Sequence, residues 1–133
     1  MKYLCLAYYH VEKFDALSES QLNEIVSQCK AYDADLRESG ALVVLASLQA
    51  VTSTTTLRPK KGKVSITDGP FVETKEQVGG FFIIEARDLN EAILVASKHP
   101  AAHLGEDVGW GIEVRPIEGM WPITDGCRAH QLA

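Results

Sequence analysis

Cysteine is scarce and carries no pattern. The 133-residue chain has three, Cys5, Cys29 and Cys127, an odd number with no Cys-x-x-Cys spacing, which excludes a disulfide framework and a zinc knuckle. Two of them are expected in the core. Long apolar runs are also missing: the longest, Tyr3 to Tyr9, is strand-sized and falls far short of the roughly 20 residues that span a bilayer. A membrane protein is not expected. That run reaches Glu12 and Lys13 almost at once, which is not the pattern of a secretory signal, so a cytoplasmic location is expected. Basic charge is short, 13 Lys plus Arg against 18 Asp plus Glu for a net −5, and its one cluster, Lys60, Lys61 and Lys63, is local. Nucleic acid is therefore not an expected partner. No Gly-x-Gly-x-x-Gly or Gly-x-Ser-x-Gly occurs, and Pro59-Lys60-Lys61-Gly62 lacks the remainder of a phosphate loop, so the common dinucleotide, hydrolase and nucleotide signatures are absent. What the chain does have is 46% apolar residues, enough for one compact domain with its own core. That domain is expected over residues 1–117, with an aperiodic tail over 118–133.

The order of elements can be read from period and punctuation. Lys2 to Tyr9 is almost wholly apolar, as in a strand buried on both faces. Ser18 with Gln21 forms a capping box, and Leu22, Ile25, Val26, Cys29, Tyr32 and Leu36 then recur at helical spacing up to Gly40. Ala41 to Ser47 is β-prone, and Thr52 to Leu57 with Lys63 to Thr67 reads as a hairpin about the turn Pro59 to Gly62. Asp68 to Gly80 is expected as a loop leading into a second central strand, Phe81 to Ala86. Asp88 caps a second helix that stops before Pro100, and Trp110 to Val114 alternates as a last strand. Strand, helix, strand, twice over, is the split pattern of an α+β, ferredoxin-like βαββαβ domain with a hairpin inserted between its halves. Two helices cover one face of such a sheet. Apolar side chains on both parities of the central strands ask for a cover on the other, and a second subunit packed sheet to sheet is the expected one.

Reactive groups concentrate in the loop Asp68-Gly69-Pro70-Phe71-Val72-Glu73-Thr74-Lys75-Glu76-Gln77-Val78-Gly79-Gly80. Asp68 with Lys75, or with His10 at the end of the first strand, would make a general acid/base pair if burial moved one pKa toward neutrality. Asp-Gly-Pro is equally a turn sequence in which the aspartate bonds to nearby backbone, and that reading is favoured. Pro70, Phe71, Glu73, Lys75 and Glu76, together with Arg115 on the last strand, are the candidate ligand contacts. Arg115 beside Glu113 reads first as an ion pair. His99 and His103 have a ligand-like spacing, but Pro100 prevents one helix from presenting both, so no metal is expected. Cys29 reads as core rather than nucleophile. No cofactor is implied.

The Asp68 to Glu85 stretch, with Asp88-Leu89-Asn90-Glu91-Ala92, His99-Pro100-Ala101-Ala102 and Ile112-Glu113-Val114-Arg115-Pro116, closely resembles the DGPF-type YCII-related proteins, over Lys2 to Arg115. The resemblance implies a dimeric α/β barrel of ferredoxin-like protomers. It also implies a link to extracytoplasmic-function sigma factors, and for some relatives a His–Asp pair in a pocket. The helix between Ser18 and Gly40 contains no histidine, which departs from that last feature. Two functions are expected from these readings: a homodimeric small-molecule-binding protein, or a cofactor-independent acid/base enzyme using Asp68 with His10 or Lys75. A third reading makes the loop an oligomer clamp through Phe71.

Overall fold

A computed structural model describes residues 1–121. Most of the tail expected over 118–133, with Cys127 and His130, lies outside the described residues. The fold is α+β. Among the described residues, six strands, β1 (Lys2–His10), β2 (Leu42–Ser47), β3 (Thr55–Lys60), β4 (Lys63–Asp68), β5 (Glu76–Glu85) and β6 (Gly111–Pro116), accompany three α-helices, α1 (Val11–Asp15), α2 (Glu19–Glu38) and α3 (Leu89–Ala96). Four strands form an antiparallel sheet in the order β2-β5-β1-β6, and β3 and β4 pair separately. The two apolar strands read as central, β1 and β5, are the two inner strands.

Alternation sorts the sheet into two faces. Tyr3 and Cys5 on β1 and Phe82 and Ile84 on β5 point to one side, where Leu36 of α2 and Ala92, Val95 and Ala96 of α3 close over them as a single buried cluster. Phe82, Leu36, Ile84 and Cys5 are fully buried, and each large apolar side chain among them is worth about 1.5–3 kcal/mol. The other side carries Leu4, Leu6, Phe81 and Ile83, all half-exposed, and Val44, 40% exposed. There Tyr8 donates through its hydroxyl to Glu113 at 3.1 Å, so Glu113 is engaged by the tyrosine instead of by Arg115.

Local chemistry explains the element ends. Ser18 Oγ accepts from the Gln21 N–H at 3.1 Å while Gln21 Oε1 accepts from the Ser18 N–H at 2.9 Å, which is the expected box. Gly40, at φ 76, takes the left-handed conformation just past the helix. Several boundaries differ from the sequence reading: β3 starts at Thr55 rather than Thr52, since Val51–Ser53 is a 3₁₀ turn, and β6 runs Gly111–Pro116 rather than Trp110 to Val114. The chain turns straight from β1 into the short α1, because His10 Nδ1 accepts from the Lys13 N–H and caps it. The hairpin turns on Lys61 and Gly62 alone, both at positive φ (51 and 78), so Pro59 and Lys60 extend β3; proline is tolerated in a two-stranded ribbon because each strand has a free edge. And β5 begins at Glu76, inside the expected loop, because β1 is long enough to pair His10 with Glu76 and Tyr9 with Gln77. A register irregularity at Ala7/Tyr8 fits there.

Candidate functional site

Helix α2 does not lie flat on the sheet. Leu36 is its one fully buried residue, while Leu22, Ile25, Cys29 and Tyr32 are half-buried and Val26 is 52% exposed. A cavity of about 430 Å³ occupies the space between the helix and the ends of β1, β2 and β5, a size suited to a small ligand.

Besides Tyr8, Tyr9, Ser47 and Gln49, the cavity is lined by the polar side chains of Asp33, Arg37 and His99. Asp33 and Arg37 stand one turn apart on α2, with Cys29 one turn before them, so all three share the lining face. Neither charged residue takes part in an ion pair among the described residues, although their spacing would permit one with each other. His99 comes from outside α2, on a segment packed against that helix, where Lys98 pairs with Asp35 at 3.3 Å and His103 stacks on Tyr32. His99 follows α3, and Pro100 starts a short 3₁₀ turn, Pro100–Ala102, that His99 caps: its Nδ1 accepts from the Ala101 N–H at 3.0 Å. Its ring lies flat on Phe82, centroids 4.8 Å apart and planes 3° from parallel.

These contacts determine the state of the imidazole. A ring nitrogen that accepts a backbone N–H carries no proton, so the neutral ring holds its proton on Nε2. Burial lowers the His99 pKa below its ordinary value of 6.5, opposed by the negative charge of Asp33. Nε2 has no hydrogen-bond partner among the described residues, where no buried polar side-chain atom goes unpaired, so it opens to the cavity. His99 therefore presents a donor and not a base. Cys29 is held as a thiol, its pKa raised by burial and then by Asp33, and Cys5 is pushed by burial up to about 11. Tyr9, Phe14 and Trp110 supply aromatic walls. Tyr9 meets Phe14 edge-on with ring centroids 5.5 Å apart, and Trp110 lies across Gly105, where an added Cβ would come within 2.3 Å of the indole.

The residues singled out from sequence lie elsewhere. Asp68 is exposed at the end of β4, paired in register with Thr55 on the hairpin. His10 is on the main sheet opposite Glu76, its Nδ1 used as a cap, and the Lys75 carbonyl accepts from the Val11 N–H at 2.9 Å. The loop is held by side chains of β3 and by Gln77. Thr56 Oγ1 donates to the Gly69 carbonyl, Arg58 donates to the Phe71 carbonyl and stacks on the Phe71 ring at 3.8 Å, and Gln77 Nε2 donates to the Val72 and Thr74 carbonyls. Pro70 and Phe71 line a second cavity of about 380 Å³ together with Leu48, Thr54 and Gln77. Asp68, Glu73, Lys75, Glu76 and His10 line neither cavity, and Arg115 is exposed on the open face of the sheet, opposite Leu4. His103 stacks on Tyr32 and bonds through Nε2 to the Ser97 carbonyl. The sequence signal for the lined cavity was present, since Cys29, Asp33 and Arg37 recur every four residues along one helix. Nothing in that spacing says that the helix stands away from the sheet.

An α+β protein whose helix and sheet enclose a ligand-sized space with free polar groups is the class that fold and site define. The chain belongs to the YCII-related domain family, whose model matches residues 1–118. It is similar to an uncharacterised protein of Rhizobium meliloti (strain 1021), with 34% identity over 117 residues, 88% of this chain and 92% of that protein. No described helix is long and apolar enough to cross a membrane.

Proposed function

We propose that the chain is a homodimeric small-molecule-binding protein whose ligand occupies the cavity between α2 and the sheet. The observation that carries this reading is the convergence of Asp33, Arg37 and the His99 Nε2–H, none partnered with another described residue, on one space of about 430 Å³. Free polar groups in a partly apolar cleft are what orients a small ligand. The protomer is read as ferredoxin-like, from its strand order and the packing of α2 and α3 on one face. A second copy covering Leu4, Leu6, Phe81 and Ile83 would complete a dimeric α/β barrel. Acid/base catalysis centred on Asp68 has no comparable support, because that carboxyl is exposed and pairs in register with Thr55. The sigma-factor partnership implied by the resemblance is a separate proposal that draws on no feature of this cavity.

The test uses Ala7, which lines the cavity from β1. A panel of small polar aromatics should contain compounds that raise the melting temperature of the wild-type chain, and Ala7→Leu, which fills the space, should abolish the shift while still folding. Shifts that survive Ala7→Leu would place the binding elsewhere and defeat the reading.

A further inference from the structure

Resting on that reading of the cavity, the arrangement of its polar groups narrows the ligand. Arg37 is a fixed positive charge with several donors, and the His99 Nε2–H adds a neutral donor from the neighbouring segment. Two donors directed at one space suit an acceptor with two oxygens. Asp33, one turn from Arg37, is an acceptor only, so a second ligand group should donate. Side chains so spaced start about 5–6 Å apart at Cβ, which places the two ligand groups on neighbouring atoms rather than at opposite ends. Tyr9, Phe14 and Trp110 offer ring faces and edges to a flat body, and Asp33 with Arg37 leaves the lining with no net charge from these two groups.

We infer that the cavity takes a small planar aromatic acid bearing an amino or hydroxyl donor next to its carboxylate, with Arg37 and His99 holding the carboxylate and Asp33 the donor. His99 serves as a neutral donor throughout. Protonating Nδ1 would break its bond from the Ala101 N–H, and the stack on Phe82 keeps the ring from turning.

Three probes of one shape test this: 2-aminobenzoate, its amide 2-aminobenzamide, which lacks the charge, and benzoate, which lacks the donor. Calorimetric titration into the full chain should show 2-aminobenzoate binding at one site per chain, with each analogue weaker by at least about tenfold, the scale of one charge-assisted hydrogen bond. Arg37→Gln should remove the preference for acid over amide, and Asp33→Ala, which takes away the acceptor, the preference for 2-aminobenzoate over benzoate. His99→Phe, which keeps a ring on Phe82, should weaken the acid. His99→Gln, which retains an amide N–H near the Nε2 position, should restore much of it. An amide that binds as tightly as the acid, or an acid preference untouched by Arg37→Gln, would overturn the ligand class. Failure of all three probes to bind would overturn it too. In each of these cases the Ala7→Leu comparison separately decides whether the cavity is a binding site at all.

Discussion

His99 joins core and cavity in one residue. One face of its ring packs on fully buried Phe82, Nδ1 caps the turn that carries Ala101, and Nε2 opens to the cavity. Because its folded-state pKa lies below 6.5, the unfolded chain binds more protons at this position than the folded chain. Stability should therefore be fully present above the unfolded value of 6.5 and be lost as pH falls through the lower folded value. The groups lining the same space, Asp33, Arg37, Cys29 and Tyr9, stay in place in His99→Phe, so the difference between wild type and this variant isolates the histidine. Urea unfolding from about pH 8 down to about pH 5 should show wild type losing more stability than the variant; parallel curves would contradict the assignment. Sequence placed His99 at a helix end beside Pro100, and it is there. Its partner ring Phe82 and its opening to Asp33 depend on the close of the fold, and no local pattern encodes either.

At the scale of the element, α2 is both scaffold and lining. Its first turn is secured by the reciprocal Ser18 and Gln21 bonds, and its last by Ser39 Oγ donating to the Leu36 carbonyl. Ser18→Ala should lower stability by about 1 kcal/mol, measured as a reduced urea midpoint with an unchanged slope, since the loss is one cap and leaves compactness alone. An unchanged midpoint would mean that the box contributes nothing. This helix was the most legible element, because capping, period and terminal glycine agreed. The stretch before Phe81 was less legible: Gly79 and Gly80 read as loop residues, yet both lie in β5. A Cβ on Gly80 would come 2.8 Å from the Ala46 carbonyl oxygen, so here glycine permits close strand approach rather than a turn. The Asp68 loop drew attention for its charge, and charge alone did not distinguish a cavity lining from a solvated surface.

For the whole molecule, the open face is the feature with the largest consequence. Leu4, Leu6, Phe81 and Ile83 form a contiguous apolar surface on the inner strands, and apolar side chains on both parities of β1 and β5 announced it in the sequence. Ile83→Lys should convert a dimer into a monomer at micromolar concentration by sedimentation velocity, with the far-ultraviolet circular dichroism retained, because a lysine there is solvated in one copy and desolvated in two. A wild-type chain that is already monomeric would remove the dimer from the proposal. The strand order bears on folding as well as on assembly. Tyr3 pairs with Ile84 on one side and with Pro116 on the other, while β3 and β4 close on each other across Lys61 and Gly62. Such distant pairings carry a loop-closure cost that slows folding relative to a chain of local contacts. During synthesis the hairpin can form as soon as it emerges. The first strand made, β1, has no neighbour to pair with until the far half of the chain has followed it.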